Sequence, residues 1–140
     1  LLHKFNNRSH LFANISPSKD NWISAGSGVS GVGFTFVISK SYARTEVYMS
    51  RSDRDENKLI FDELYKQKNI IEQRTGSLEW QRLDDKKASR IKQELTGVNM
   101  FDKEDWERMM DFLMESMPKF EEAFKKPLSK INQILKDKNE

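Results

Sequence analysis

Two hydrophobic periods alternate along this chain, and the switches between them mark its elements. Leu2, Phe5 and Phe12 fit one face of a short helix, an apolar face that needs covering. Asn14 to Asp20 then reads as a turn, because Asn, Ser, Pro and Asp favour bent, locally hydrogen-bonded backbone. From Trp22 the period becomes two. Trp22 to Ala25 is a short strand. Val32 to Ser39 follows, with Phe34, Phe36 and Ile38 on one face and Thr35 and Val37 on the other. Lys40-Ser41 leaves only a tight connection to Tyr42–Met49. There Ala43, Thr45, Val47 and Met49 alternate with Tyr42, Arg44, Glu46 and Tyr48. One apolar and one polar face per strand suits an antiparallel sheet that is wet on one side.

A helical repeat begins after Asp53. Asp53 with Glu56 three residues on predicts a helix cap. Ile60, Leu64 and Ile71, with Phe61 adjoining, line one stripe of a helix from about Arg54 to Arg74. Gly76 is a natural stop, since it takes a positive φ without a Cβ clash. Leu78–Leu83 and Ala88–Leu95 read as two further strands around the polar turn Asp84-Asp85-Lys86-Lys87. Asp102 caps the last helical region, whose stripe is Trp106, Met109, Met110, Leu113 and Met117. Pro118 predicts a kink or break near Met117, and Phe120 and Phe124 carry the pattern on. Pro127 predicts the start of a separate last helix holding Leu128, Ile131, Ile134 and Leu135. The expected order is α-β-β-β-α-β-β-α-α. It describes an α+β domain with about five strands, mainly antiparallel, and helices packed on one face.

Composition narrows the function classes. The 140 residues fit one domain, 1–140, and the absence of Cys excludes a disulfide scaffold, a Cys-ligated zinc site and a Cys nucleophile. No apolar run approaches the roughly 20 residues of a membrane span, so no membrane partner and a cytoplasmic location are expected. The net charge of +2 hides a gradient: +3 over residues 1–50, +1 over 51–100 and −2 over 101–140. Asp102 to Glu122 holds 8 acids against 3 bases and would repel phosphate. The stretch Arg82 to Lys92 carries Arg82, Lys86, Lys87, Arg90 and Lys92 against Asp84 and Asp85. A polyanion is therefore expected near the middle of the chain.

Some motifs suggest chemistry. Gly26-Ser27-Gly28-Val29-Ser30-Gly31 spells G-x-G-x-x-G, but it leads into an aromatic, β-branched run and not into a helix. The phosphate-binding version needs a helix N-terminus, so a hairpin turn is expected. Glu56-Asn57-Lys58 resembles the E-x-K of a metal-dependent nuclease core, where a strand points both side chains to one face. On a helix, positions i and i+2 diverge by about 200°. His3 and His10 lack a neighbouring carboxylate cluster and make a weak metal site. Met109, Met110, Met114 and Met117 read as core or as a partner-facing groove. Tyr42, Arg44 and Tyr48, with Arg82, Arg90 and Lys92 if strand order allows, would share the outer sheet face, where aromatic and basic groups stack bases and hold phosphates.

Several segments together resemble a known family. They are Ser16-Pro17-Ser18-Lys19-Asp20 with Trp22 and the glycine turn, Asp55 to Asp62, Leu78 to Lys86, Ala88-Ser89-Arg90-Ile91 and Gly97-Val98-Asn99. In this order they resemble the bacterial and archaeal family of domain of unknown function DUF4268, over roughly residues 5–126. The family name assigns no activity. The resemblance implies a context: such domains often follow a PD-(D/E)XK nuclease-like segment in proteins suspected of restriction or defence roles.

The expectation is a non-catalytic accessory module, the C-terminal part of a longer nuclease-like protein, with no catalytic residues, metal or cofactor assigned. It would bind DNA or RNA weakly through Lys40, Arg44, Arg82, Lys86, Lys87, Arg90 and Lys92, or position a nuclease-like domain of the same parent chain. The alternatives are a protein-interaction domain that forms homo-oligomers and a Mg²⁺-dependent nuclease using Glu56 and Lys58.

Overall fold

Alternating strands and two kinds of helical stripe assemble as one sheet backed by helices. The structure is a computed structural model that describes residues 21–138. The helix expected at Leu2, Phe5 and Phe12, the turn at residues 14–20, and His3 and His10 lie outside the described residues. The strands are β1 (Asn21–Gly26), β2 (Val32–Ile38), β3 (Tyr42–Met49), β4 (Glu79–Gln81) and β5 (Ser89–Thr96). Their spatial order is β1-β2-β3-β5-β4, and every neighbouring pair is antiparallel. The helices are α1 (Arg54–Tyr65), α2 (Lys68–Thr75) and α3 (Lys103–Lys138). The expected α+β class and antiparallel sheet are present, and among the described residues strands and helical regions follow the expected order.

The two-residue period decides which face of the sheet is covered. Val32, Phe34, Phe36 and Ile38 of β2 are buried, as are Ala43, Thr45, Val47 and Met49 of β3 and Ile91 of β5. Burying a large apolar side chain contributes about 1.5–3 kcal/mol, so this face cannot stay in water. The helices cover it. On α3, Phe124 meets Phe34 edge-on with ring centroids 6.5 Å apart, and the hydroxyls of Ser116 and Thr45 are 2.6 Å apart in the core. On α1, Phe61 packs edge-on against Trp80 of β4 at 6.1 Å.

Two helical details differ from the sequence expectation. The region expected as one helix from Arg54 to Arg74 is split: α1 ends at Tyr65 and α2 starts at Lys68. The break rests on one tightened bond, Gln67 N–H to the Leu64 carbonyl at 2.9 Å. Conversely, the break expected at Pro118 and the separate helix expected from Pro127 are absent, and α3 runs through both prolines for 36 residues. The reason is phase. Leu113, Met117, Phe120, Phe124, Leu128, Ile131 and Leu135 are buried in one unbroken seam of three- and four-residue steps. Pro118 itself is exposed, and the single bond it removes, to the Met114 carbonyl, is outweighed by that seam.

The turn between α2 and β4 is held by one carboxylate. Glu72 accepts from the Leu78 amide at 2.8 Å and from the Trp80 indole N–H at 3.2 Å. Burial opposes its charge, but those two donors and Lys68 outweigh burial and hold the carboxyl below its ordinary value. A carboxyl depressed in the folded state stabilises above its unfolded pKa, and the gain is lost as pH falls through the folded value. Glu72→Ala should therefore lower stability by about 1–2 kcal/mol at pH 7. Urea titrations across pH should show the gap to wild type closing below about pH 4; a gap constant in pH would refute the charged-acceptor role.

Candidate nucleic-acid interface

The outer face of the sheet is set by register. β3 pairs with β5 so that Arg44 stands opposite Glu94, Glu46 opposite Lys92 and Tyr48 opposite Arg90. All six point away from the helices, together with Tyr42 on β3 and Thr35 and Val37 on β2. The expected clustering of Tyr42, Arg44, Tyr48, Arg90 and Lys92 is therefore realised, because β5 inserts beside β3. Arg82 does not join it. Two residues along from Trp80, its side chain turns to the helix side and pairs with Asp62 of α1 at 2.9 Å and with Asp84.

The charges on this face are largely matched. The Arg44 guanidinium bonds the Glu94 carboxylate through Nε at 2.7 Å and Nη2 at 2.6 Å, and Lys92 reaches the same oxygen at 3.0 Å. Lys92 also lies 3.6 Å from Glu79. Burial opposes the charge of Glu94, but these cations overcome it and hold its carboxyl below the ordinary range. Glu46 goes the other way. It is only 5% exposed, and burial raises its pKa although Arg90, Arg44 and Lys92 pull against that shift. Arg90 Nε sits 2.6 Å from Glu46 Oε2. That contact is an ion pair without hydrogen-bond alignment; both atoms are buried and make no hydrogen bond, and Arg44 Nη1 lies 4.0 Å from the same oxygen. With Lys40 the face carries four cations against three carboxylates, a net charge of +1.

The aromatic rings are engaged by the same cations. The Arg44 guanidinium lies 4.5 Å from the Tyr42 ring centre and that of Arg90 lies 5.5 Å from the Tyr48 ring centre. Between them lies an open groove of about 700 Å³, lined in part by Ser24, Thr35, Tyr42, Glu46, Tyr48 and Arg90. Gly26 and Gly33 stand opposite each other on the row of Tyr48 and Arg90, so that row carries no side chain on β1 and β2. The Ser24 and Thr35 hydroxyls are 3.0 Å apart on its floor.

Of the other basic residues expected to bind polyanions, Lys40 lines this groove and Lys86 and Lys87 lie elsewhere. Lys40 is exposed in the β2–β3 turn, at the Tyr42 end of β3. Lys86 and Lys87 are exposed in the β4–β5 connection, near Ser89, which pairs with Met49 at the opposite end. The eight residues of β3 separate the two ends by about 24 Å.

The motif residues fold into local architecture. The glycine-rich run is the β1–β2 turn, as expected, and Gly31 takes φ +77° there. A Cβ at Gly31 would come within 2.5 Å of the Arg51 side chain, whose Nη1 donates to the Ser30 carbonyl at 2.6 Å. Asp53 caps α1, accepting from the amides of Asp55 and Glu56. The Glu56 carboxylate pairs with Arg51 Nε at 3.2 Å. Lys58 points elsewhere, into a nest of carbonyls from Arg82, Leu83 and Ala88 plus the Ser89 hydroxyl, at 2.6–2.9 Å. Asn57 is fully buried, bonding both the amide and carbonyl of Arg51 and the carbonyl of Lys87. The roles of Asn57 and Lys58 were missed in the sequence; a Lys on the buried side of a helix was the available signal. The methionines of α3 are buried, which makes them core.

An α+β domain with a helix-backed antiparallel sheet and an open, polar, tyrosine-bearing outer face is thus defined. Over residues 1–128 the chain matches the family described as Domain of unknown function (DUF4268), and it belongs to that family. No curated protein and no solved structure matches it. Among the described residues, no helix is long and apolar enough to cross a membrane.

Proposed function

We propose that this domain is a non-catalytic accessory module of a nuclease-like, defence-associated bacterial or archaeal protein, acting in the cytoplasm. Its outer sheet face would bind single-stranded nucleic acid. The observation that carries this reading is the open groove lined by Tyr42, Lys40, Tyr48 and Arg90, where the β3–β5 adjacency sets Arg90 beside Tyr48. Aromatic rings on a sheet give bases a stacking platform, and guanidinium groups beside them meet phosphates. The near-balance of charge on the face predicts binding carried by stacking more than by counterion release. A short labelled single-stranded DNA and an RNA of the same sequence, titrated at low and moderate salt, test it. The expected slope of log K on log salt is shallow, roughly −1 to −2. Tyr42→Ala and Tyr48→Ala should each weaken binding about tenfold. No binding at low salt, or binding indifferent to both substitutions, would overturn the assignment.

A further inference from the structure

Four large apolar side chains stand exposed among the described residues, and two features of the molecule use three of them. The first is a projection. Phe101 is 59% exposed at the entry to α3. The turn that holds it is tied throughout. The Asn99 amide donates to Asp105, the Phe101 amide donates to the Asn99 side chain, and the Glu104 amide donates to Asp102. The neighbouring Met100 is buried, and its amide donates to the Ser39 carbonyl at 3.0 Å. An aromatic ring presented on a fixed turn loses little entropy when it is captured. Asp102, Glu104 and Glu107 around it are exposed and pair with no cation among the described residues.

The second feature is a recess at the other end of α3. α2 and the C-terminal part of α3 enclose a groove of about 500 Å³. Its apolar lining includes Ile70, Pro127, Ile131 and Ile134, of which Ile70 is 58% and Ile134 40% exposed. Lys125, Lys126 and Lys130 border it, exposed and without a carboxylate partner among the described residues. Glu122 and Glu63 also line it, but Arg74 and Lys66 neutralise them at 2.6 and 2.9 Å.

We infer that these two features fit each other between copies: Phe101 and its acidic turn on one molecule enter the lysine-rimmed groove of the next. Within one chain they cannot meet, since about 40 Å of rigid helix separates Phe101 from Lys130. Three unpaired carboxylates meet three unpaired ammonium groups, and an exposed aromatic side chain fills an apolar recess. The contact joins two different patches, so it closes either as a reciprocal two-fold pair, each Phe101 seated in the other copy's groove, or as an open series.

Sedimentation of the full chain at rising concentration reads this directly. Wild type should show a mass that climbs above one chain with concentration and falls back with added salt. Phe101→Ser alone and Ile70→Ser with Ile134→Ser should each weaken association about tenfold or more. Both changes are at exposed positions, and circular dichroism checks that the fold is kept. Mixed together, the two variants should form a pair that stops at two chains, because one intact projection meets one intact groove. A wild type that stays monomeric overturns the inference. So does a dimer sensitive to the isoleucines and indifferent to Phe101, and so does a mixture that fails to pair.

Discussion

Lys58→Met should destabilise the domain by about 4 kcal/mol and loosen residues 82–88 before the rest. The ammonium is 4% exposed and lies 2.6 Å from the Arg82 carbonyl, 2.7 Å from that of Ala88, and 2.9 Å from both the Leu83 carbonyl and the Ser89 hydroxyl. Its three N–H donors serve four acceptors, so the cage is filled. Methionine keeps most of the stem's volume but donates nothing. The Ala88 carbonyl then faces an apolar tip, while those of Arg82 and Leu83 keep the Ser89 hydroxyl and the Lys86 amide as donors but each lose a bond to a charged group, worth about 1.5–3 kcal/mol. Partial rehydration of a surface connection holds the total below the sum. The connection also carries Leu83 at φ +56°, an unfavourable conformation for a side chain with a Cβ. Lys58 and the Lys86 amide together hold that carbonyl in place. Burial lowers the affinity of Lys58 for its proton, Arg54 and Arg82 lower it further, and Asp84 and Asp85 oppose them. The geometry nonetheless favours the protonated amine, since a neutral amine has two N–H donors for four acceptors and would turn its lone pair toward one of them. Urea unfolding gives the global loss. Hydrogen exchange at the Lys86 amide, bonded to the Leu83 carbonyl at 2.9 Å, gives the local one. A loss under about 1 kcal/mol with unchanged exchange would mean that the cage holds nothing.

The same residue shows where sequence reading stopped. Glu56 and Lys58 have nuclease-like spacing, and the helical geometry expected there does send them apart: one to Arg51, the other to the cage. The cage itself was not legible, because its carbonyls come from residues at least 24 positions away and carry no side-chain signature. Strands were legible, since alternation in β2 and β3 writes the buried face directly into the residue order. Which basic residues remain free was not. Arg44 and Glu94 are fifty residues apart, and only the β3–β5 register makes them partners. The split at Lys66-Gln67 lacks glycine or proline to announce it. The prolines of α3 misled in the opposite sense. Their local penalty is real, but the apolar seam keeps phase across both, and the packing of seven buried side chains outweighs one lost hydrogen bond per proline.

That seam can be tested at its centre. Phe124→Ala should cost about 3–5 kcal/mol, a large share of the 5–15 kcal/mol available to a domain of this size. Phe124 has no exposed surface, meets Phe34 of β2 at 6.5 Å and lies 5.6 Å from Phe120. It sits six residues after Pro118 and three before Pro127, where a broken helix would leave the ring free to shift away from the sheet. If α3 is continuous, the ring cannot be replaced by local collapse, because Phe34 is fixed by its strand and Phe120 by the same helix. The cavity then stays open and the cost is high. Phe124→Leu, which keeps most of the volume, should lose only about 1–2 kcal/mol. The ratio between the two variants is the informative quantity. Similar, small losses from both would mean that the helix yields at its prolines and closes the gap. A large difference between the two variants would establish that α3 is continuous and braces the sheet from behind.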